Sequence, residues 1–338
     1  MRDIMFKIKQ SKQITILVLG IILSLFHQNG IADDKFPVKP INLIVPYAPG
    51  GGNDLVARLL SGPLSNELNQ PVVVINKAGA GGSIGTAEVA NANPDGYNLV
   101  LLNSANITYP ESERLAGRKP LYELNQIEPL ALLSNDPIFI VIRSDLPYKN
   151  IGEFFKAAQA KPGAMDYSSS GNLGPIHIQY ELLGSVLKTS FTQIQYKGVG
   201  PSMLALLSGE VHTTAVNPAT LSAQLNSGKV RVLGVTGELR HPLAPDVPTF
   251  KELGILDAGY RLWTGIYTTS GIPPEVLKKL NIAIANAVKT PRFINGMKQA
   301  NLILDFREST EFKKFVDEDS KKVIKVFGKL IAPEVNKN

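Results

Sequence analysis

Apolar residues along this chain fall into short unbroken runs separated by longer helix-spaced segments, the alternation that builds a largely parallel sheet covered by helices. Ile41 to Val45 is a run of the buried-strand kind, followed by a Pro/Gly loop from Pro46 to Gly52. Asn53 or Asp54 can cap the next helix, whose apolar face uses Leu55, Val56, Leu59, Leu60, Leu64 and Leu68. Gly62-Pro63 is expected to interrupt and kink it. A strand over Val72 to Ile75, a glycine loop at Gly79 to Gly82 and a helix over Ile84 to Ala92 follow, then a Pro94-Asp95-Gly96 turn and a strand over Leu99 to Leu102. This series predicts parallel strands with right-handed crossovers.

The pattern restarts after Pro137. Strands are expected at Ile138 to Ile142, Phe191 to Tyr196, Thr213 to Val216 and Val230 to Val235, with helices at Ile151 to Gln159, Ile176 to Leu187 and Pro201 to Leu207. Gly259 to Thr268 reads as extended. Two long helices, Pro274 to Lys289 and Thr310 to Phe327, close the chain without strands of their own and brace one lobe. Two successive α/β units imply two lobes: the first over 33–136, the second over 137–236, and a return to the first over 237–338. Ligands of open α/β sheets sit beyond the carboxyl ends of the strands, so a ligand cleft between the lobes is expected.

The N-terminal segment changes the picture of where the chain works. Arg2, Lys7, Lys9 and Lys12 precede an apolar run from Ile14 to Phe26, and Gly30-Ile31-Ala32 offers small residues for cleavage after Ala32. This predicts a cleavable signal peptide (1–32) and a periplasmic mature protein. The rival is an uncleaved anchor, for which the run is short. With no cysteine in the chain, disulfides, thiolate chemistry and lipid attachment at the signal are excluded. Residues 33–338 carry a mild net charge of +3, and no basic tract suggests nucleic acid.

Candidate chemistry is concentrated in loops. Pro46 to Asp54 is glycine-rich and leads into a helix, so its N–H groups and the helix dipole suit a carboxylate; the plainer alternative is a tight strand-to-helix turn. Asp54 can meet a ligand amide or ammonium, or cap the helix. Ser168 to Pro175 repeats the logic in the second unit. Enzyme motifs are weak: neither glycine loop completes the dinucleotide fingerprint, and no phosphate-loop motif occurs. Gly81-Gly82-Ser83-Ile84-Gly85 matches GxSxG, which leaves a secreted serine hydrolase as a rival, although that serine lies some way past its strand. His177, His212 and His241 have no metal-ligand spacing. Trp263 faces either a ligand or the core. No cofactor and no metal are expected.

In order and spacing, Pro46 to Asp54, Gly62 to Ala80 with Gln70-Pro71-Val72-Val73-Val74, Gly79 to Gly82, Pro94 to Tyr97, Tyr196-Lys197-Gly198, Asp246 to Thr249 and Trp263 resemble the Bug family. These are TctC-like extracytoplasmic solute receptors of tripartite tricarboxylate transporters. The resemblance spans Phe36 to Pro333. It implies a two-lobed type II periplasmic-binding-protein fold, a small carboxylate (or carboxamide or aromatic) ligand, membrane permease subunits as partners and a monomeric receptor. A sensory role beside a two-component kinase is the alternative within the same class. Carried over by position, Tyr47, Ala48, Gly51, Asn53 and Asp54 belong to the first binding loop. Ser104, Ala105, Asn106 and Thr108 follow the third strand, Ser169, Ser170, Gly171 and Asn172 oppose them, and Tyr196, Lys197 and Asn217 complete the far wall. Many relatives carry an aspartate where this chain has Val216, which argues against an amino-acid ligand.

Overall fold

The computed structural model describes residues 36–115, 117–169, 174–196, 199–225 and 227–335. The expected signal peptide, and Ser170, Gly171, Asn172 and Lys197 of the expected site, lie outside them. The chain runs β1 (Ile41–Val45), α1 (Gly52–Leu68), β2 (Val72–Asn76), α2 (Ser83–Ala90), β3 (Asn98–Asn103), α3 (Ser104–Leu115) and β4 (Ile127–Pro137). A second group follows: β5 (Phe139–Arg143), α4 (Ile151–Ala160), β6 (Asp166–Ser169), α5 (Pro175–Leu187), β7 (Thr192–Gln195), α6 (Val199–Ser208), β8 (Thr213–Val216), α7 (Pro218–Leu225) and β9 (Val230–Val235). The chain ends with β10 (Arg261–Thr269), α8 (Pro274–Ala287), α9 (Pro291–Gln299), β11 (Leu304–Glu308) and α10 (Ser309–Val335).

The strands form two sheets, in the orders β11-β4-β10-β3-β1-β2 and β7-β6-β8-β5-β9. As the βαβαβ pattern requires, β1 pairs in parallel with β2 and β3. Antiparallel strands complete the first sheet, with β10 between β3 and β4 and β11 at the edge on β4. Each sheet has its own apolar core. Val100, Leu102, Leu132, Trp263, Tyr267 and Phe312 fill the first, and Ile140, Phe154, Tyr167, Tyr180 and Leu183 the second.

Four local expectations are corrected. Gly62-Pro63 does not interrupt α1, which continues to Leu68 with Pro63 buried inside it. Proline removes one main-chain bond, and here packing holds the remaining turns: the Arg292 guanidinium of α9 lies where a side chain at position 62 would project. The closing helices do have a strand between them, β11, whose polar sequence hides an edge position. The strand β4 was missed because its prolines and Asn135-Asp136 read as breakers. Pro129 and Pro137 are tolerated because β4 bends out of strict register against β10. Residues 104–108, expected as a loop, form the first turns of α3.

The chain passes from the first sheet to the second between β4 and β5 and returns between β9 and β10. One hydroxyl joins both passages. Thr236 Oγ1 accepts the Ile138 N–H at 2.8 Å and donates to the Tyr260 carbonyl at 2.8 Å. From α5, the Gln179 amide donates to Ala258 O and accepts the Tyr260 N–H, each at 2.8 Å. The helix α10 packs on β4, α3 and α5, and Lys322 Nζ donates to Gly259 O at 2.6 Å. Replacing Thr236 with Val keeps its shape but leaves a buried N–H and a buried carbonyl unpaired. Thr236→Val is therefore expected to lower stability by about 2–4 kcal/mol in urea unfolding; a loss below about 0.5 kcal/mol would show that the passages do not depend on this hydroxyl.

Candidate functional site

A cavity of about 540 Å³ opens between the two sheets, within the range of small-molecule sites. Its first wall rises from the carboxyl ends of β1, β3 and β4 and the start of β10; its second comes from the end of β8 and the starts of α5, α6 and α7. Five helices thus bring their N-terminal residues to one space: Gly51 to Asn53 of α1, Ala105 of α3, Gly174 and Pro175 of α5, Val199 of α6, and Asn217 with Thr220 of α7. The first N–H groups of a helix have no partner within it, and its dipole is positive there. The helix ends therefore turn partial positive charge toward the cavity, and no Lys or Arg lines it among the described residues.

The first loop is held from behind. Asp54 is almost fully buried and spends its carboxylate on the protein: Oδ2 accepts Gly50 N–H and Arg58 Nε at 2.9 Å each, and Oδ1 accepts Asn76 Nδ2 at 2.9 Å. The bond from Arg58, helped by those from Gly50 and Asn76, outweighs burial and holds the carboxyl at about 2. Neither expected cap is formed, because the N-cap position falls at Gly51, which has no side chain to cap with. Asn53 instead donates Nδ2 to Leu101 O of β3 at 3.3 Å.

Tyr47 ties this loop to the next one. Its hydroxyl lies 2.8 Å from Asn106 Oδ1 and 3.1 Å from Asn103 Oδ1, and burial pushes its pKa far up, so it stays a neutral donor. Asn106 Oδ1 also accepts the Asn103 N–H, and Asn103 Oδ1 accepts the Ala105 N–H at 3.0 Å. Gly82 closes over this pair at φ 97°; a Cβ there would come within 2.6 Å of Asn106 Nδ2 and 3.1 Å of the Tyr47 ring. On the opposite wall, Asn217 Oδ1 caps α7 by accepting the Thr220 N–H at 2.8 Å.

Of the expected residues, Tyr47, Gly51, Asn53, Ala105, Thr108 and Asn217 line the cavity. Ser104, Asn106 and Ser169 are buried in the walls, and Ala48, Asp54 and Tyr196 lie outside the lining. Val216 does face the cavity, as does Trp263, which is also core: its Nε1 donates to Asp319 of α10 at 2.9 Å. Burial raises the Asp319 pKa, and the Trp263 bond partly offsets this. His177 is buried beside Glu181, and His241 stacks edgewise on Phe139. Ser83 is buried at the start of α2, with its hydroxyl donating to Ala80 O at 2.8 Å rather than to a base. That geometry does not make a nucleophile elbow.

The residue that sequence reasoning missed is Asp136, at the cleft end of β4. It is the one charged side chain lining the cavity among the described residues. Burial pushes its carboxyl up to about 6, against the Ile303 N–H bond, the Ser134 hydroxyl and the more distant Arg261 charge. Its signal was a lone acid inside an apolar run.

These features define a class: a two-lobed α/β receptor that encloses a small solute between helix ends. Comparison with known proteins agrees. The family model for the tripartite tricarboxylate transporter family receptor, TctC, matches residues 56–331. A protein from Cupriavidus necator, called a UPF0065 protein in the gbd 5' region, is 33% identical over 88% of this chain and 89% of its own length. Among solved structures, the periplasmic binding protein BugD is 31% identical, with a TM-score of 0.71 over 87% of this chain and 98% of that one. MatC of Rhodopseudomonas palustris with bound malate is 27% identical, with a TM-score of 0.71 over 86% and 99%. An R. palustris protein with adipate is 25% identical, with a TM-score of 0.74 over 87% and 99%. The chain belongs to the TctC (Bug) family of solute-binding receptors.

Two predictions test the roles of the acids. A carboxyl raised in the folded state binds protons more readily than in the unfolded chain, so its favourable contribution is complete below about pH 4 and is lost as pH rises through about 6. Asp136→Asn is therefore expected to raise the melting temperature of the unliganded protein at pH 7.5, by a gain of about 1–3 kcal/mol that fades below pH 4. A pH-independent effect would contradict the assignment. Asp54→Ala, which frees three donors, is expected to lower stability by about 2–4 kcal/mol in urea unfolding, and an unchanged midpoint would show that the clamp is idle.

Proposed function

We propose that this receptor captures a small carboxylate, with the carboxylate oxygens held by main-chain N–H groups at the start of α1, the dipole of α3 adding to them, and the two lobes closing over it. The observation that carries this reading is the convergence of five helix N-termini on a cavity with no basic side chain among its described lining residues. Hydrogen bonds to a charged oxygen contribute about 1.5–3 kcal/mol each. A handful, after ordering costs, reaches the ~8 kcal/mol of micromolar affinity. The malate and adipate carried by two relatives support the same ligand class.

On this reading Gly51 and Asn53 present main-chain donors, Ala105 and Thr108 extend the first wall, and Asn217 faces them from α7. Ser170, Gly171, Asn172 and Lys197, outside the described residues, are assigned to the ligand's opposite side by the family resemblance alone, while Ala48, Asp54, Ser104, Asn106, Ser169 and Tyr196 support rather than touch the ligand. The mature protein works in the periplasm after loss of residues 1–32 and hands its solute to membrane components of a tripartite transporter. The lobes divide near 136 and 236, at the two passages joined by Thr236. A closed liganded form is what such a permease distinguishes from the open one.

Thermal shift against a panel of mono- and dicarboxylates tests this. A cognate carboxylate at a hundredfold excess over its dissociation constant is expected to stabilise the protein by about 2.7 kcal/mol, a rise of several degrees. The corresponding primary alcohols should give none. Equal stabilisation by alcohols and acids, or by neither, would contradict the carboxylate reading.

A further inference from the structure

Asp136 sits oddly in a cavity shaped for an anion. It is 96% buried, from a relative exposure of 4%, and no ion pair among the described residues includes it. Arg261, the nearest cation on β10, gives its guanidinium to the side chain and carbonyl of Asn135 instead. A carboxylate can accept about four hydrogen bonds. The protein offers Asp136 the Ile303 N–H at 2.7 Å and the neighbouring Ser134 hydroxyl. Its remaining capacity faces the cavity it lines. A buried acid left short of donors is costly, and such groups cluster where a protein meets its ligand.

Its place on the sheet edge sets its relation to the anion-binding end. The order β4-β10-β3-β1 puts β4 two strand positions from β3 and three from β1. At ~4.8 Å per strand, that is about 10–14 Å from the strands that lead into α3 and α1. Between them β10 contributes Leu262, Trp263 and Thr264, and the cavity is otherwise lined with apolar Ile138, Ile176 and Val216. After a hydrogen-bond length at each end, the interval fits a spacer of a few carbons or one ring. A second carboxylate placed at Asp136 would face like charge in a desolvated site. A hydroxyl or ammonium there would complete its hydrogen bonds.

We propose that Asp136 selects the solute by its far end: the ligand carries a carboxylate at one end and a hydrogen-bond donor, hydroxyl or ammonium, at the other, across an apolar spacer. The inference rests on the carboxylate reading above and narrows it from acids in general to donor-tipped monocarboxylates. An amino group is thereby met from the first lobe, on the wall opposite Val216. The Ile303 N–H alone would make Asp136 a fastening for the start of β11; Asp136→Asn keeps an acceptor for that bond and removes only the charge.

The test compares, by calorimetric titration at pH 7.5, matched series at several chain lengths and on benzoate: the plain monocarboxylate, its ω-hydroxy and ω-amino derivatives, and the diacid. The intact mature protein is expected to bind a donor-tipped member at least about tenfold tighter than the diacid of equal length. Asp136→Asn is expected to shrink that ratio to about threefold or less, with the plain monocarboxylate bound at least as tightly as before because a like charge has been removed from the cavity. Preference for the hydroxy or the amino member tells which donor the solute carries. A diacid preferred by the unaltered protein, or a ranking unmoved by Asp136→Asn, would overturn the inference while leaving the carboxylate reading in place. Failure of every acid in every series would overturn both.

Discussion

The constraint on which the rest of the structure depends is the unpaired main-chain polarity at helix N-termini. Each of α1, α3, α5, α6 and α7 begins at the same cavity, so helix dipoles accumulate where the two sheets face each other, and α1 and α5 start without a side-chain cap on their N–H groups. No lysine or arginine among the described lining residues contributes. A site made of backbone holds its donors in place without ordering long side chains on binding, which reduces the entropy lost when a solute arrives.

That arrangement needs rigid walls and a compliant join. The walls are made rigid by side chains that bond backwards into the protein. Asp54 fastens the β1–α1 loop to Arg58 and Asn76, and Tyr47 links that loop to Asn103 and Asn106 at the start of α3. The join is two passages of chain, tied together by Thr236 and braced by α10 through Lys322 and through the Trp263–Asp319 bond. Trp263 lines the cavity and bonds to the bracing helix, so the cavity wall and the inter-lobe support share one side chain.

Much of this was legible in the sequence, for identifiable reasons. The parallel βαβαβ unit announced itself because its strands are buried on both faces and read as continuous apolar runs. The glycine loop at Pro46 to Asp54 was visible because close backbone approach requires that composition. What could not be read was direction. Asp54 and Asn106 are polar residues beside a cleft, and only three-dimensional packing reveals that they bond into the walls. The antiparallel strands β4, β10 and β11 were missed or left vague because their pairing is long-range and their prolines and acids mimic loops. Asp136 was hidden for the same reason: its meaning comes from the strand that carries it to the cavity.

On the proposed reading, helix-end amides rather than basic side chains receive the carboxylate of the ligand. Amide chemical shifts of isotopically labelled protein, followed during titration with a carboxylate that stabilises it, test this most directly. The Gly51, Gly52 and Asn53 amides are expected to move downfield and saturate together with the stabilisation, as N–H groups that gain a charged acceptor do. Saturable binding that leaves these three amides unmoved, with the largest shifts away from the cavity, would contradict it.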